Sequence, residues 1–282
     1  TIYVVIGSDT DPDRPGFIPG HHAEEGKSWR GMIEGVPRAK EALSKLLDNS
    51  GHPPVFTWCL RADYQMHALN GSYSFIMETH RDFLSDLERT GDELAWHPHF
   101  WNMDKSSGKW YQEILDVDWQ VQMLKDAFAA YSSHFPGRPK SVRMGWDYHN
   151  NRTLATLAEL GIAVDFSGIP GWKIDPPSGG KGGYNCYDWR ITPNSPYYPS
   201  RNDYRRPSRA GEEHLSILEA PNFVSTSFFW GTFGGSVMSA KMKNAKPLFR
   251  SLSRPTYWIA VTGKRFLFAP LLSKVEKVLA RQ

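Results

Sequence analysis

The sequence predicts an α/β fold with parallel strands, and two observations lead to this class. Seven short apolar runs typical of strands alternate with five amphipathic patterns typical of helices. Strands that are joined by helices pair in parallel, either in a doubly wound sheet or in a barrel. A chain of 282 residues with 40% hydrophobic and 22% charged residues fits one globular domain over residues 1–282.

Apolar periodicity sets the bounds of these elements along the chain. The predicted strands are 2–8, 55–61, 93–97, 141–145, 162–166, 215–220 and 257–262. The predicted helices are 37–47, 77–89, 118–131, 153–160 and 269–280. Gly51, Gly91, Gly137 and Gly161 come shortly after four of these helices, as expected of residues that end a helix.

Polar side chains stand at the carboxyl ends of six predicted strands, and this pattern favours a barrel. They are Asp9 and Asp11, Arg61, His97 and His99, Arg143 and Asp147, Asp165 and Ser167, and Glu219. The strand ends of a barrel all meet at one mouth, whereas an open sheet concentrates its chemistry at one switch point. We therefore expect these side chains to surround a single site.

A long segment, residues 168–214, shows few helix or strand signals and exceeds the usual length of a connection. A solvated linker rarely contains so many large aromatic side chains, so the segment is predicted to be an ordered loop or lid. They are Trp172, Tyr184, Tyr187, Trp189, Tyr197, Tyr198 and Tyr204. The four arginines of this segment either bind an acidic ligand, such as an acidic sugar, a phosphate or a nucleotide carrier, or form a solvated basic face. They are Arg201, Arg205, Arg206 and Arg209.

Composition and motifs exclude several other classes. Two cysteines cannot form a disulfide framework, and the glycine cluster at 179–183 matches neither nucleotide fingerprint, which argues against nucleotide binding. We also expect no nucleic-acid partner. The longest uncharged stretch, 220–240, is too rich in Pro, Gly, Ser and Thr to span a bilayer. No signal peptide is visible at the start of the sequence, which predicts a cytoplasmic location.

Asp9 and Asp11 lie two residues apart at the first strand end, so they share one face. The aspartates do not fit the pattern of a calcium-binding loop, because Arg14 and Gly20 occupy the positions where that loop needs glycine and glutamate. The pair is either a solvated acidic turn or part of a cation site.

His97 and His99 also share a face, at the end of the third predicted strand, where Pro98 stops the pairing. Two inward-facing imidazoles form either a hydrogen-bonded core pair or a pair of metal ligands. Two histidines and one carboxylate leave an open position for water, which is the ligand count of a catalytic zinc site.

These residues, together with others along the chain, resemble the polysaccharide deacetylases, the NodB-like carbohydrate esterases, and in particular their divergent bacterial members encoded with surface-polysaccharide genes. The resemblance rests on five stretches: Ser8-Asp9-Thr10-Asp11, Gly91 to His99, Arg143-Met144-Gly145-Trp146 through Gly161, Asp165-Phe166-Ser167, and Leu218-Glu219-Ala220-Pro221. It implies a distorted (β/α)7 barrel, an Asp-His-His metal triad and the hydrolysis of an N-acetyl group on a sugar or polysaccharide.

The resemblance also implies roles for particular residues. Asp9 corresponds to the general base and Asp11 to the metal-binding aspartate. His97 corresponds to the first metal histidine, and His99 substitutes for the second because Trp101 stands at its usual position. The metal ligands are thus Asp11, His97 and His99, with Zn²⁺ as the expected ion.

Further roles follow from the same resemblance. Arg143 corresponds to the arginine that holds the catalytic aspartate, and the pair Asp188-Trp189 to the residues that brace it and line the acetyl pocket. The late histidine that serves as general acid is not found, and the candidates are Asp147, His149 and His214, of which His149 completes the predicted catalytic set with Asp9 and Arg143. The rings expected near the sugar, each also compatible with simple core packing, are Trp101, Trp146, Trp189, Tyr197 and Tyr198.

Three functions are weighed on this basis. The first is a metal-dependent deacetylase of N-acetylated glycans. The alternative is a catalytically silent carbohydrate-binding protein on the same barrel, suggested by the displaced histidine and the missing acid. The third is a metal-free glycosidase that uses Asp9 and Glu219 as its two carboxylates, and it is less favoured because it leaves His97 and His99 without a role.

The formal charge of +3 conceals a basic end of the chain. Residues 241–282 contain ten Lys and Arg and a single acidic residue, Glu276. This part is either a final barrel helix with a solvated face or a contact for an anionic membrane or glycan carrier.

Overall fold

A parallel sheet forms the centre of the protein. The computed structural model describes residues 6–13, 28–48, 50–176 and 186–222. Its strands are β1 (Gly7–Thr10), β2 (Thr57–Arg61), β3 (Glu93–His97), β4 (Trp101–Asp104), β5 (Lys109–Gln112), β6 (Ser141–Val142), β7 (Val164–Asp165), β8 (Lys173–Ile174), β9 (Tyr187–Asp188), β10 (Pro199–Ser200), β11 (Asp203–Pro207) and β12 (Leu218–Glu219). Its helices are α1 (Arg30–Leu43), α2 (Tyr64–Asn70), α3 (Phe75–Thr79), α4 (Arg81–Arg89), α5 (Val117–His134) and α6 (Asn151–Glu159), with a 3-10 turn at Gly145–Asp147.

The central sheet has six strands in the order β1, β2, β3, β6, β7, β12, and every neighbouring pair is parallel. The predicted α/β class is confirmed. The spatial order follows the chain order without a reversal, unlike the order in a doubly wound sheet. No strand within the described ranges pairs β12 with β1, so the sheet is not shown to close into the predicted seven-stranded barrel.

The bounds of the strands agree best where the apolar run is fully buried. The predicted strand 93–97 coincides with β3, and the run at 55–61 contains β2, whose five residues are all buried. The runs at 141–145, 162–166 and 215–220 contain strands of only two residues each. The predicted strand 257–262 and helix 269–280 lie outside the described residues.

The helices depart from prediction at three places. Helix α1 begins at Arg30 rather than at residue 37, and Pro37 lies inside it. The carboxylate of Asp13 accepts the backbone N–H of Gly31 at 2.8 Å, so the preceding loop caps an earlier start. The single helix predicted at 77–89 is divided at His80 into α3 and α4, and α2 was not predicted.

The hydrophobic core lies between the sheet and its helices. Trp96 of β3 is fully buried and donates its indole N–H to the carbonyl of Ala62 at 2.8 Å. Tyr131 of α5 is also buried and donates to the carbonyl of Leu94 at 2.9 Å. These bonds satisfy the polar atoms of large core rings, and they fix β3 at the centre of the sheet.

Although its role as a lid stays a prediction, the described part of residues 168–214 contributes to the core. It forms two short antiparallel pairs, β8 with β9 and β10 with β11, and buries Trp189, Tyr197 and Tyr204. Three of its four arginines pair with carboxylates: Arg201 with Glu213, Arg205 with Asp188 and Asp203, and Arg206 with Glu212.

Other sequence expectations concern exposure and location. Cys59 and Cys186 are buried and free. Over the described ranges, no helix combines the length and the apolar character needed to cross a bilayer. The basic part at 241–282 lies outside the described residues, so its membrane or carrier contact stays a prediction.

Candidate metal centre

Side chains at the carboxyl ends of the first three strands converge on one site. Asp9 and Asp11 belong to the end of β1, and His97 ends β3, with His99 two residues beyond. Because these strands are parallel, their carboxyl ends share one edge of the sheet. Sequence reasoning therefore predicted this convergence from the strand ends alone.

Asp11, His97 and His99 form a compact group of possible ligands, which we term the metal-ligand group. One ligand atom from each of them lies within 4.8 Å of the other two. The Nε2 atoms of His97 and His99 are 3.0 Å apart, and Asp11 Oδ1 is 3.8 Å from His99 Nε2. Two imidazole nitrogens and one carboxylate oxygen suit a borderline divalent cation such as Zn²⁺.

His97 is oriented by the backbone in the manner of a metal ligand. Its Nδ1 lies 2.6 Å from the carbonyl oxygen of Arg143, so that nitrogen carries the proton and donates it. The lone pair of a neutral His97 is then on Nε2, which faces the group. A carbonyl partner of this kind fixes the tautomer and the ring orientation of a ligating histidine.

His99 is held by two residues that the sequence did not single out for this purpose. Trp101 donates its indole N–H to His99 Nδ1 at 3.1 Å, so a neutral His99 carries its proton on Nε2, toward His97. Gly145 lies against the ring, because a Cβ there would approach it to 2.1 Å. A cation held by Asp11, His97 and His99 would take the lone pair of His99 Nε2, so a neutral His99 would carry its proton on Nδ1 and lose the hydrogen bond from Trp101.

Asp11 is anchored by a buried arginine. Arg61 is fully buried, and its Nη1 lies 2.8 Å from Asp11 Oδ1. Its remaining donors reach Asp63 and, at 2.6 Å, Gln65. Asp63 also accepts the backbone N–H of His99 at 3.0 Å. The sequence marked Arg61 only as a strand-end residue, and its part in orienting two ligands depends on contacts across the sheet.

Arg143 joins two carboxylates beside the metal-ligand group. Its Nη1 is 3.5 Å from Asp9 Oδ1, and its Nη2 is 3.4 Å from Asp147 Oδ1. Asp9 Oδ1 also lies 3.8 Å from His97 Nδ1. The predicted proximity of Arg143 to Asp9 is thus present in the structure, and Asp147 is a second partner of the same guanidinium.

Asp147 belongs to an unusual turn. Trp146 and Asp147 have φ values of 59° and 54°, in the left-handed region that is costly for a tryptophan. Trp189 donates its indole N–H to the carbonyl of Asp147 at 2.7 Å. Burial raises the pKa of Asp147 to about 6, with Arg143 opposing the shift and Asp9 adding to it.

The structure does not bring His149 to Asp9. The fully buried ring has Nε2 at 2.8 Å from Asp165 Oδ2 and Nδ1 at 3.2 Å from Thr153 Oγ1. Glu219, also fully buried, accepts the backbone N–H of Gly168 at 2.9 Å. We term His149, Asp165 and Glu219 the inner cluster. A general acid or a glycosidase carboxylate must reach the substrate, and these side chains are sealed from solvent.

The two carboxyl groups of the inner cluster have opposite pKa shifts. Burial and the charge of Asp165 raise the pKa of Glu219 well above its usual value. Although burial opposes ionisation of Asp165, His149 and the hydroxyl of Ser167 hold its pKa below the usual value. The pair is therefore one neutral acid beside one carboxylate, and the carboxylate is paired with His149.

The predicted sugar-binding rings are mostly interior. Trp101 and Trp189 are fully buried and Tyr197 nearly so, so none of them presents an open face for stacking. Trp146 packs edge-on against His99 and Trp101. Only one predicted ring of the set, Tyr198, is exposed among the described residues.

Asp188 does not brace Arg143 as the resemblance implied. Its carboxylate pairs with Arg190 and Arg205 at 2.8 and 2.7 Å, because the β8–β9 pair places it beside those guanidiniums. These contacts hold the pKa of Asp188 well below its usual range. The contact with Arg143 comes from Asp147 instead.

A cavity of about 270 Å³ adjoins Asp9 and Asp11. Residues 8–11, Asp13, residues of α1 and Trp58 line it, and the helical wall combines small residues with the apolar side chains of Met32 and Val36. Its volume exceeds that of several water molecules, at roughly 30 Å³ each. A small organic group can therefore enter beside the two carboxylates.

Comparisons with known proteins add little to this geometry. No protein-family profile and no curated protein matches the chain. One similar solved structure is that of a "putative glycoside hydrolase/deacetylase" from Parabacteroides distasonis, with a TM-score of 0.46 and 20% identity. The match covers 78% of this chain and 44% of that one, so this chain spans less than half of that protein.

Proposed function

We propose that this protein is a metal-dependent hydrolase that removes N-acetyl groups from a sugar or polysaccharide. The observation that carries the proposal is the metal-ligand group, with Asp9 held beside it by Arg143. Asp9 and Asp11 keep about a third of their side chains exposed, so the group is accessible. The substrate class rests on the resemblance to the polysaccharide deacetylases, in particular to their divergent bacterial members encoded with surface-polysaccharide genes.

Asp11, His97 and His99 would hold the cation, and Zn²⁺ suits their donor set. Such a cation supplies a Lewis acid for an acyl carbonyl and lowers the pKa of water. Asp9 accepts the proton of the attacking water, and Arg143, whose Nη1 is 3.5 Å from Asp9 Oδ1, positions this carboxylate. The cavity next to Asp9 and Asp11 accommodates the acyl group.

Zinc content and acetate release test this proposal together. Purified protein loaded with Zn²⁺ is expected to release acetate from N-acetylglucosamine oligomers. Asp9→Asn should lower kcat/KM by about 10²–10⁴-fold and keep the zinc, because it removes the proton acceptor without removing a ligand. Asp203→Asn, which alters a carboxylate paired with Arg205, is the matched control with unchanged activity.

Two results would contradict the proposal in different ways. A protein that binds no divalent cation has no metal-dependent chemistry. A protein that binds zinc and N-acetylated glycans, but releases acetate from none of them, is instead the carbohydrate-binding protein of the alternative reading.

A further inference from the structure

The proposed amide hydrolysis needs a group that gives a proton to the leaving amine, and the two candidate histidines, His149 and His214, are not placed to provide it. His149 is sealed inside the inner cluster, and His214 packs against Tyr198 next to β10. The sequence contains no histidine beyond His214. A proton donor must therefore be sought among the other side chains at the edge of the sheet.

We propose that Asp147 is the general acid of this site and protonates the leaving nitrogen of the substrate. The inference rests on the proposed function and deepens it. Asp147 is the second carboxylate on Arg143, opposite Asp9 on the same guanidinium. One arginine thus sets the positions of a proton acceptor and a proton donor on either side of the reacting bond.

The backbone around Asp147 is built to place this side chain. Two consecutive residues in the left-handed region are strained and persist only where the surroundings impose them. The buried indole of Trp189 imposes this geometry by donating to the Asp147 carbonyl. An aspartate that served only as a surface ion-pair partner would not require such a turn.

The surroundings of Asp147 suit a carboxyl group that exchanges a proton. Its side chain remains 16% exposed, whereas Asp165 and Glu219 are fully buried. The charged and titratable groups that act on it come from four strands besides its own turn: Asp9, His97, Arg143, Tyr187 and Glu219. Burial outweighs Arg143, and the raised pKa supports a protonated fraction near neutral pH.

The proposed hydrolysis of the amide has two steps. The oxygen of water bonds to the acyl carbon while its proton passes to Asp9. The carbon–nitrogen bond then breaks, its electron pair goes to nitrogen, and the carboxylic proton of Asp147 passes to that nitrogen. Acetic acid and the free amine leave, and proton exchange with solvent returns Asp9 to the carboxylate and Asp147 to the acid.

Two substrates with different leaving groups test this role in the zinc-loaded full chain. An N-acetylglucosamine oligomer needs a proton on its leaving amine, whereas 4-nitrophenyl acetate releases a phenolate that needs none. Asp147→Asn should lower kcat/KM for the amide by about 10²–10⁴-fold and for the ester by less than about threefold. Asparagine tolerates the left-handed region, so the turn is retained.

The pH profile gives a second readout. Asp147 donates only when protonated, so amide kcat/KM of the wild type falls as pH rises through its pKa. This decline should be absent from the ester profile and from the Asn variant, while the zinc content and circular dichroism of the variant match those of the wild type.

The outcomes of these experiments distinguish an error in the role of Asp147 from an error in the proposed function. Equal losses on both substrates, or no loss on either, would overturn the role of Asp147 and leave the proposed function intact. A wild-type protein that hydrolyses neither substrate overturns the proposed function and this inference with it. If Asp147→Asn does not fold, Trp189→Phe, which removes the donor to the Asp147 carbonyl, should lower amide turnover more than ester turnover; equal effects overturn the inference.

Discussion

Two clusters near the carboxyl ends of the strands contain similar residue types, but their surroundings differ. Asp11 and His99, at β1 and β3, meet at the metal-ligand group, and Asp11 is partly exposed. Asp165 and His149 meet in the inner cluster and have no exposed side-chain surface. The same residue types therefore form an accessible site in one region and a closed polar core in the other.

Solvent access decides what each cluster can do. A buried ionised carboxylate must be paired, and breaking its pairing is costly for stability. A partly exposed group can exchange protons, bind a cation and meet a substrate. We therefore expect substitutions in the inner cluster to change mainly stability, and those around the metal-ligand group to change mainly metal affinity.

The largest expected effect is in the inner cluster. Asp165→Asn removes the carboxylate that faces His149 and Glu219, and should lower the free energy of unfolding by about 3–5 kcal/mol. Glu219→Gln is the matched control, since an amide reproduces a protonated carboxyl that accepts from Gly168, and should cost less than about 1 kcal/mol. Urea denaturation measures both, and equal costs would mean that the buried charge is not on Asp165.

A smaller effect is expected where His99 touches Gly145. Gly145→Ala forces the ring of His99 away, because the new methyl group would overlap it, and should weaken zinc binding by about 10–100-fold. Gly7→Ala, whose Cβ would lie 3.8 Å from the nearest atom, is the control with unchanged affinity. Titration calorimetry with Zn²⁺ compares them, and an unaltered affinity in Gly145→Ala would show that His99 is not a ligand.

The pH dependence of stability sharpens the same contrast. The raised pKa of Glu219 means that the folded protein holds a proton that the unfolded chain loses above its ordinary pKa. Stability contributed by this group therefore falls as pH rises between those two pKa values, by at most about 1.4 kcal/mol per pH unit. Glu219→Gln should flatten this decline in urea denaturation between pH 5 and 7, roughly the range above the ordinary glutamate pKa. An unchanged slope would assign the proton elsewhere.

The sequence predicted the strand ends well because a strand and its last polar residue are local features. Period two placed His97 and His99 on one face, and the parallel arrangement placed Asp11 beside them. The pairing of His97 Nδ1 with the Arg143 carbonyl joins residues 46 positions apart, so no local pattern contains it.

Other site contacts escaped prediction for related reasons. Gly145 was predicted as the last residue of the strand 141–145, and nothing in the sequence indicated that its missing side chain makes room for His99. Trp101 was predicted to contact the sugar, although its indole is buried and donates its N–H to His99. Asp147 was one of three candidates for the acid, and its contact with Arg143 and its partial exposure distinguish it from the sealed His149. Each of these roles depends on how separate strands pack.

Zinc stoichiometry tests the contrast between the two clusters most directly. Wild-type protein, Asp11→Ala, His97→Ala and Glu219→Gln are each dialysed against Zn²⁺ and analysed by mass spectrometry of the metal. We predict about one zinc ion per chain for the wild type and Glu219→Gln, and loss of the ion from the other two, as a three-ligand site requires. Zinc retained by both alanine variants, or lost equally from Glu219→Gln, would contradict the assignment of the metal to Asp11, His97 and His99.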